Sequence, residues 1–388
     1  ACEDMIFVPV YIGYDRVLEE SAYVHELEGG QKEPENISQV FRARKFLKKR
    51  FGKIYIQFHD PLSLNQLLEQ HGMGLQAMNS KEKNTFCRNL GFRVINAINK
   101  TTVVTAHGLC ASAILNTPKT RFTYGHLKFI VETYMTYLNT QGGKMADTLL
   151  MNPDYAIENA LDSYVQRKLI EALPKEKDDT ETIPEYNVND NQRINLEYYK
   201  NNCISFFIPA AFTAMEILKL DAFQFSAPQL HAGYKFLQHM FKNEFAYDVN
   251  LTTEYHVRKT IKAFIDDAIL MPHQTLPDTY NVTSAGFRKL KFFANFLKTY
   301  FESYLIVITV FMVYSKDGLD AKERMKHIEN RGRRMYKREE IERRESLSKL
   351  TYQNAVDFFL SQGVRGSDDN KRATVYLDAV QEYLNRLQ

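Results

Sequence analysis

Beyond residue 65 the apolar residues of this chain recur at intervals of three and four almost to its last residue, which commits most of it to α-helix. The segments at 86–115, 124–138 and 155–173 show the spacing most clearly. The first 64 residues read differently. "IFVPVYIGY" (6–14) concentrates β-branched and aromatic residues as a buried strand does, yet Pro9 sits inside it. Proline has no N–H to give to a ladder, so this strand is expected at an edge, bulged, or bent. Gly13 then lets the backbone turn. Residues 39–51 read as a basic helix, and "GKIYIQFHDPLSL" (52–64) returns to period two with Ile54, Ile56 and Phe58 on one face, stopping at Asp60-Pro61.

Strand, helix, strand is an α/β unit, so the expected fold class is α/β followed by mainly α, divided as 1–64 and 65–388. A sheet needs more strands than this start provides. The chain begins with Ala1 rather than Met and reaches its first strand within six residues, so it is expected to be part of a longer polypeptide. Residues 174–192 are acidic, contain proline and lack periodicity, and read as a linker or excursion with a hairpin as the alternative. A second break, 271–281, carries two prolines and reads as a loop. No internal repeat, heptad or low-complexity tract is visible.

A formal net charge of +3 on 388 residues predicts no strong attraction to nucleic acid, so any electrostatic function must be local. Four scattered cysteines with no Cys-x-x-Cys pair and no histidine at ligand spacing read as free thiols, with no metal site. No signal peptide is visible, and no apolar run reaches the roughly 18–20 residues of a spanning helix. The two nearest, 204–218 and 304–314, read as buried core helices, with contact at a bilayer surface as the alternative.

Five stretches together resemble one family. "FVPVYIGYD" (7–15) is similar to the fourth conserved block of glycerol-3-phosphate acyltransferases, above all the large bacterial membrane-associated type. The strand at 52–64, "RVINAINKTTVVTAHGLCASAIL" (93–115), "LEYYKNNCISFFIPAAF" (196–212) and "GRRMYKREEIERRESLSKLTYQNAVDFF" (332–359) resemble later segments of that family in the same order. The resemblance implies acyl transfer from acyl-CoA or acyl carrier protein to the 1-hydroxyl of glycerol 3-phosphate, giving lysophosphatidate for phospholipid synthesis, with no further cofactor. It also implies peripheral or monotopic contact at the cytoplasmic face of the plasma membrane. The alternatives are acylation of dihydroxyacetone phosphate, or a non-catalytic helical module that docks a membrane or carrier protein.

In that family a His-x-x-x-x-Asp motif supplies the general base and its orienting acid, upstream of the fourth block. The chain alone is therefore expected to be inactive. "HQTLPD" fits the same spacing at His273 and Asp278, but it lies downstream, in a proline-flanked break, and reads as an accidental match. Through the resemblance, Pro9, Tyr11, Gly13 and Tyr14 are candidate substrate-binding residues, against a plain reading as strand and turn. The basic run with Arg42, Arg44, Lys45, Lys48, Lys49 and Arg50 is a solvated helix face or a contact for an acidic partner. Asn201 and Asn202 are either buried hydrogen-bonding groups or site residues.

Overall fold

The computed structural model describes residues 3–15, 52–72, 74–117, 120–173, 184–248, 250–315 and 320–388. The basic run from Arg42 to Arg50, and the helix expected there, lie outside the described residues. The strand read from 6 to 14 is two strands, β1 (Ile6–Phe7) and β2 (Val10–Tyr14), which pair antiparallel with β4 (Leu62–Ser63) and β3 (Ile54–Phe58). Phe7 stands opposite Leu62 and Val10 opposite Phe58, so Val8 and Pro9 face three residues, His59 to Pro61. That extra residue is a β-bulge. It falls where Pro9 has no N–H to give, while the Pro9 carbonyl still accepts from the His59 N–H at 3.0 Å. The unit is thus an antiparallel hairpin, where a parallel crossover is usual for strand, helix, strand.

Helices α1 (Leu64–His71) and α2 (Ser80–Thr101) follow. The helical reading of 86–115 breaks at Thr101–Thr105, where five successive β-branched residues disfavour helix and Val103–Val104 forms β5, pairing parallel with β7 (Lys144–Met145). Most of the remainder is a duplication. The first copy runs α3 (Ala106–Asn116), β6 (Arg121–Thr123), α4 (Tyr124–Gln141), α5 (Asp147–Met151), α6 (Pro153–Gln166), β8 (Ile170–Ala172), β9 (Glu185–Val188) and α7 (Arg193–Asn201). The second runs α8 (Ile204–Leu220), β10 (Gln224–Ser226), α9 (Ala227–Met240), α10 (Thr253–Asp266), β11 (Leu270–Pro272), β12 (Thr279–Val282) and α11 (Ser284–Ala294).

Both sheets have the order first, third, second strand, and their registers match: Phe122 faces Tyr186 and Ile170 faces Val188, as Phe225 faces Tyr280 and Leu270 faces Val282. In both copies the helix before the hairpin ends on a residue with positive φ, Lys168 (59°) and Ala268 (52°). The next amide then reaches back to an aromatic residue's carbonyl, Leu169 to Tyr164 at 2.9 Å and Ile269 to Phe264 at 2.8 Å. This corrects the absence of an internal repeat. The copies share only Tyr-Asn-Val as an obvious string, at 186–188 and 280–282. It also moves 170–172 from helix to strand, because neither glycine nor proline marks the stop. Glu185–Val188 is likewise a sheet strand, so the hairpin alternative describes that end of 174–192, and 271–281 is a hairpin too.

After the second copy come α12 (Lys298–Phe311), α13 (Ala321–Lys337), α14 (Lys349–Ser361) and α15 (Asn370–Arg386). One continuous core runs from Val103 to Leu387, and Tyr11 and Tyr55 of the hairpin pack against it. The apolar stretches at 204–218 and 304–314 are core helices, α8 and α12, buried on nearly every side. No single helix among the described residues is long and apolar enough to cross a membrane.

Candidate functional site

The alternation of β2 sorts the predicted site residues onto two faces. Tyr11 and Gly13 point to the helical body. The Tyr11 hydroxyl donates to the Val103 carbonyl at 3.3 Å, and burial pushes its pKa up to about 12. A Cβ on Gly13 would collide with the Tyr11 ring, so the glycine keeps that ring seated. Tyr14 lies on the opposite face with Ile12, across from Ile54 and Ile56. Ile12, Ile54, Ile56 and Phe58 are 54%, 61%, 53% and 68% exposed, an apolar sheet face larger than scattered surface residues make. Asp4 ties the hairpin to α1, accepting from the Ser63 hydroxyl at 2.7 Å and the Asn65 amide at 3.1 Å.

Residues in and beside the later motif segments converge inside the helical body. Arg193 of α7 meets Glu345 at 2.8 Å, with both side chains almost fully buried. Lys200, about two turns further along α7, pairs with Glu197 at 2.7 Å. Glu302 of α12 accepts from the amides of Glu342 and Arg343, both at 2.9 Å, and from the Ser346 hydroxyl at 2.7 Å. Burial pushes Glu345 up, but Arg193 and Arg343 outweigh it and hold the carboxyl below its usual range. For Glu197 and Glu302 burial wins and the pKa is raised. Gly332 opens the last motif segment, and a Cβ there would strike the Tyr352 hydroxyl and crowd Leu347, so α13 can approach α14 only at a glycine.

Four motif asparagines gather at one cleft of about 500 Å³ between α2, the start of α8 and α10. Asn96, Asn99 and Asn201 line it, and Asn354 donates to Glu244 in its wall at 2.9 Å. Asn201 and Asn202 are both exposed, and Asn201 faces this cleft. Burial pushes the Glu244 carboxyl up to about 7, so it titrates near neutrality. Its Oε1 is buried without a hydrogen-bond partner among the described residues, and the neighbouring Tyr304 hydroxyl donates to the Met240 carbonyl at 3.3 Å. Across the cleft Lys100 is held by Asp248 at 2.6 Å, and His256 stacks on Tyr234 at 6.1 Å. Polar groups set in apolar walls make a binding geometry.

His273 and Asp278 sit at either end of the β11–β12 hairpin loop and turn to separate partners. His273 Nδ1 accepts from the Thr275 and Leu276 amides at 3.2 and 3.1 Å, while Asp278 meets Arg258 at 3.2 Å. Among the described residues no group of three or more His, Cys, Asp or Glu could hold a metal ion, and Cys87, Cys110 and Cys203 are free thiols. The buried ionic cluster and Glu244 went unread in the sequence. The available signal was a charge inside an apolar helical run, as Glu302 is in "YFESYLIVITVF".

A family model described as the C-terminal region of glycerol-3-phosphate acyltransferase matches residues 23–368. A glycerol-3-phosphate acyltransferase of Pseudomonas putida is 28% identical over 242 residues, covering 60% of this chain and 28% of that protein. One from Ectopseudomonas mendocina is 31% identical over 229 residues, covering 58% and 26%. One from Pseudomonas fluorescens is 28% identical over 221 residues, covering 53% and 25%. The matched stretch thus spans 25–28% of the length of these relatives.

Proposed function

The chain belongs to the family of the glycerol-3-phosphate acyltransferase C-terminal region, and from that premise we propose that it forms the C-terminal part of an enzyme acylating the 1-hydroxyl of glycerol 3-phosphate. The donor is acyl-CoA or acyl carrier protein, the product lysophosphatidate, and the setting peripheral contact with the cytoplasmic face of a membrane. The general base and its orienting acid come from outside this chain.

The observation that carries the reading is the apolar outer face of the hairpin, formed by Ile12, Ile54, Ile56 and Phe58. Such a face fits burial against further layers of an α/β catalytic domain, with β2 as its last contributed strand. Tyr14, on that face, is positioned to line the substrate pocket; Pro9 sets the bulge, and Tyr11 and Gly13 anchor the strand to the helical body. The test joins the upstream part of the P. putida relative to this chain and measures acyl-CoA-dependent acylation of glycerol 3-phosphate. The chain alone should give no turnover and the joined protein should give it. Ile56→Asp with Phe58→Asp should abolish that turnover while leaving the melting of the isolated chain nearly unchanged. Turnover by the isolated chain that survives His273→Ala overturns the reading.

A further inference from the structure

The two copies of the duplicated unit are each covered by a helix from further along the chain. Tyr383 of α15 donates to Glu216 of α8 at 2.8 Å, and Asn116 of α3 and Tyr134 of α4 donate to the Phe292 carbonyl of α11 at 3.3 and 3.0 Å. The second seam closes with opposite charges: Arg386 meets Asp221 at 2.9 Å and Lys219 meets Glu382 at 3.1 Å. The first seam stays open as a cleft of about 740 Å³. One wall carries Arg121 of β6, and the other carries Arg288 and Lys291 of α11.

Cations on both walls of one cleft repel unless something lies between them. Among the described residues Arg121 makes no ion pair; Arg288 is stacked on Phe129 at 5.0 Å; Lys291 donates at 2.5 Å to the main-chain oxygen of Gln388, a terminal carboxylate oxygen in the 388-residue chain. None of these contacts is with a side-chain carboxylate. Of the acids at the cleft, Glu342 is taken by the buried Lys298 at 2.5 Å and the Gln388 carboxylate by Lys291, which leaves Glu185 against Arg121 and Arg288. Between the charges the walls are mostly apolar, with buried Phe122, Phe292 and Leu387. The volume suits a small amphiphile.

We propose that this cleft binds an amphiphilic phosphate, with a phosphate monoester headgroup between Arg121 and the Arg288–Lys291 wall and its apolar body along Phe122 and Phe292. Arginine forks match phosphate oxygens two at a time, and a monoester carries between one and two charges at neutral pH. The inference rests on the charges and walls of the cleft and does not require the acyltransferase reading.

The test is calorimetric titration of the full 388-residue chain with dodecyl phosphate below its micelle concentration, and separately with inorganic phosphate. One dodecyl phosphate per chain is expected, bound at least tenfold more tightly than inorganic phosphate. Arg121→Gln and Arg288→Gln should each weaken it about tenfold. Arg258→Gln, an exposed arginine on α10 outside the cleft, should leave it unchanged. Glu185→Gln should tighten binding severalfold, a gain that no folding defect imitates. Absence of binding, equal affinity for inorganic phosphate, or affinity indifferent to both cleft arginines overturns the proposal.

Discussion

The two copies of the duplicated unit fold alike and are stabilised differently. Leu196 and Tyr199 of α7 correspond to Leu290 and Phe293 of α11, and all four are buried. Around that shared apolar pattern, α7 carries Arg193, Glu197 and Lys200 into a buried ionic cluster, whereas α11 sends Phe293 among the rings of Tyr134, Tyr137 and Phe264 and Phe292 against Phe129. A similar exchange links α8 and α9. Glu216 lies where only a glycine, Gly233, can face it; the first copy has Ala113 and Ile130 at those places. The apolar positions specify the unit, and the buried charges are additions to it.

Breaking the ionic side of this comparison should have the largest effect. Arg193→Ala strands Glu345 in the core and should cost roughly 3–5 kcal/mol in urea unfolding. Gly332→Ala comes next. The Tyr352 hydroxyl stands at the end of a rigid buried ring, so about 1–3 kcal/mol is expected, read as a fall in Tm. Glu244→Gln tests the polar cleft through pH. The folded protein holds the Glu244 proton up to about pH 7, against an ordinary value of 4.5, so it binds more protons than the unfolded chain across that window. Stability should therefore fall as pH rises from 4.5 to 7. Replacement by Gln should flatten that slope and recover about 1–2 kcal/mol at pH 8. The smallest effect belongs to Tyr11→Phe, which deletes one hydrogen bond to Val103 and should cost about 0.5–1.5 kcal/mol in the same unfolding measurement.

Much of the molecule was legible in the sequence. The helical spacing placed α4 and α6, the apolar runs marked α8 and α12 as core, and Pro9 marked the bulge. The sheets of the duplicated units were not legible, because strands of three or four residues are too short to display period two. Lys168 and Ala268 hid the helix ends, since each adopts a positive φ without being the glycine that usually announces it. The duplication was hidden for a related reason. Equivalent positions keep their backbone role and their burial, as Leu196 and Leu290 do, while most identities have changed. Of the candidate site, the motif segments were visible, but their meeting was not. Arg193 and Glu345 stand 152 positions apart in the chain, and only the packing of α7 against the turn at Arg344–Ser346 brings them together.

On the reading proposed above, the buried pair Arg193–Glu345 serves the fold and not the acyl transfer. Replacing the buried pair with apolar residues, Arg193→Met with Glu345→Leu, in this chain joined to the upstream part of the P. putida relative separates the two roles. Unfolding and acyl transfer are then measured on the same sample. A buried ion pair replaced by well-packed apolar residues is often neutral or stabilising. The expected result is a double variant as stable as the parent, or more so, that still acylates glycerol 3-phosphate. A variant that is fully stable and inactive would contradict the claim and place Arg193 and Glu345 in the reaction itself.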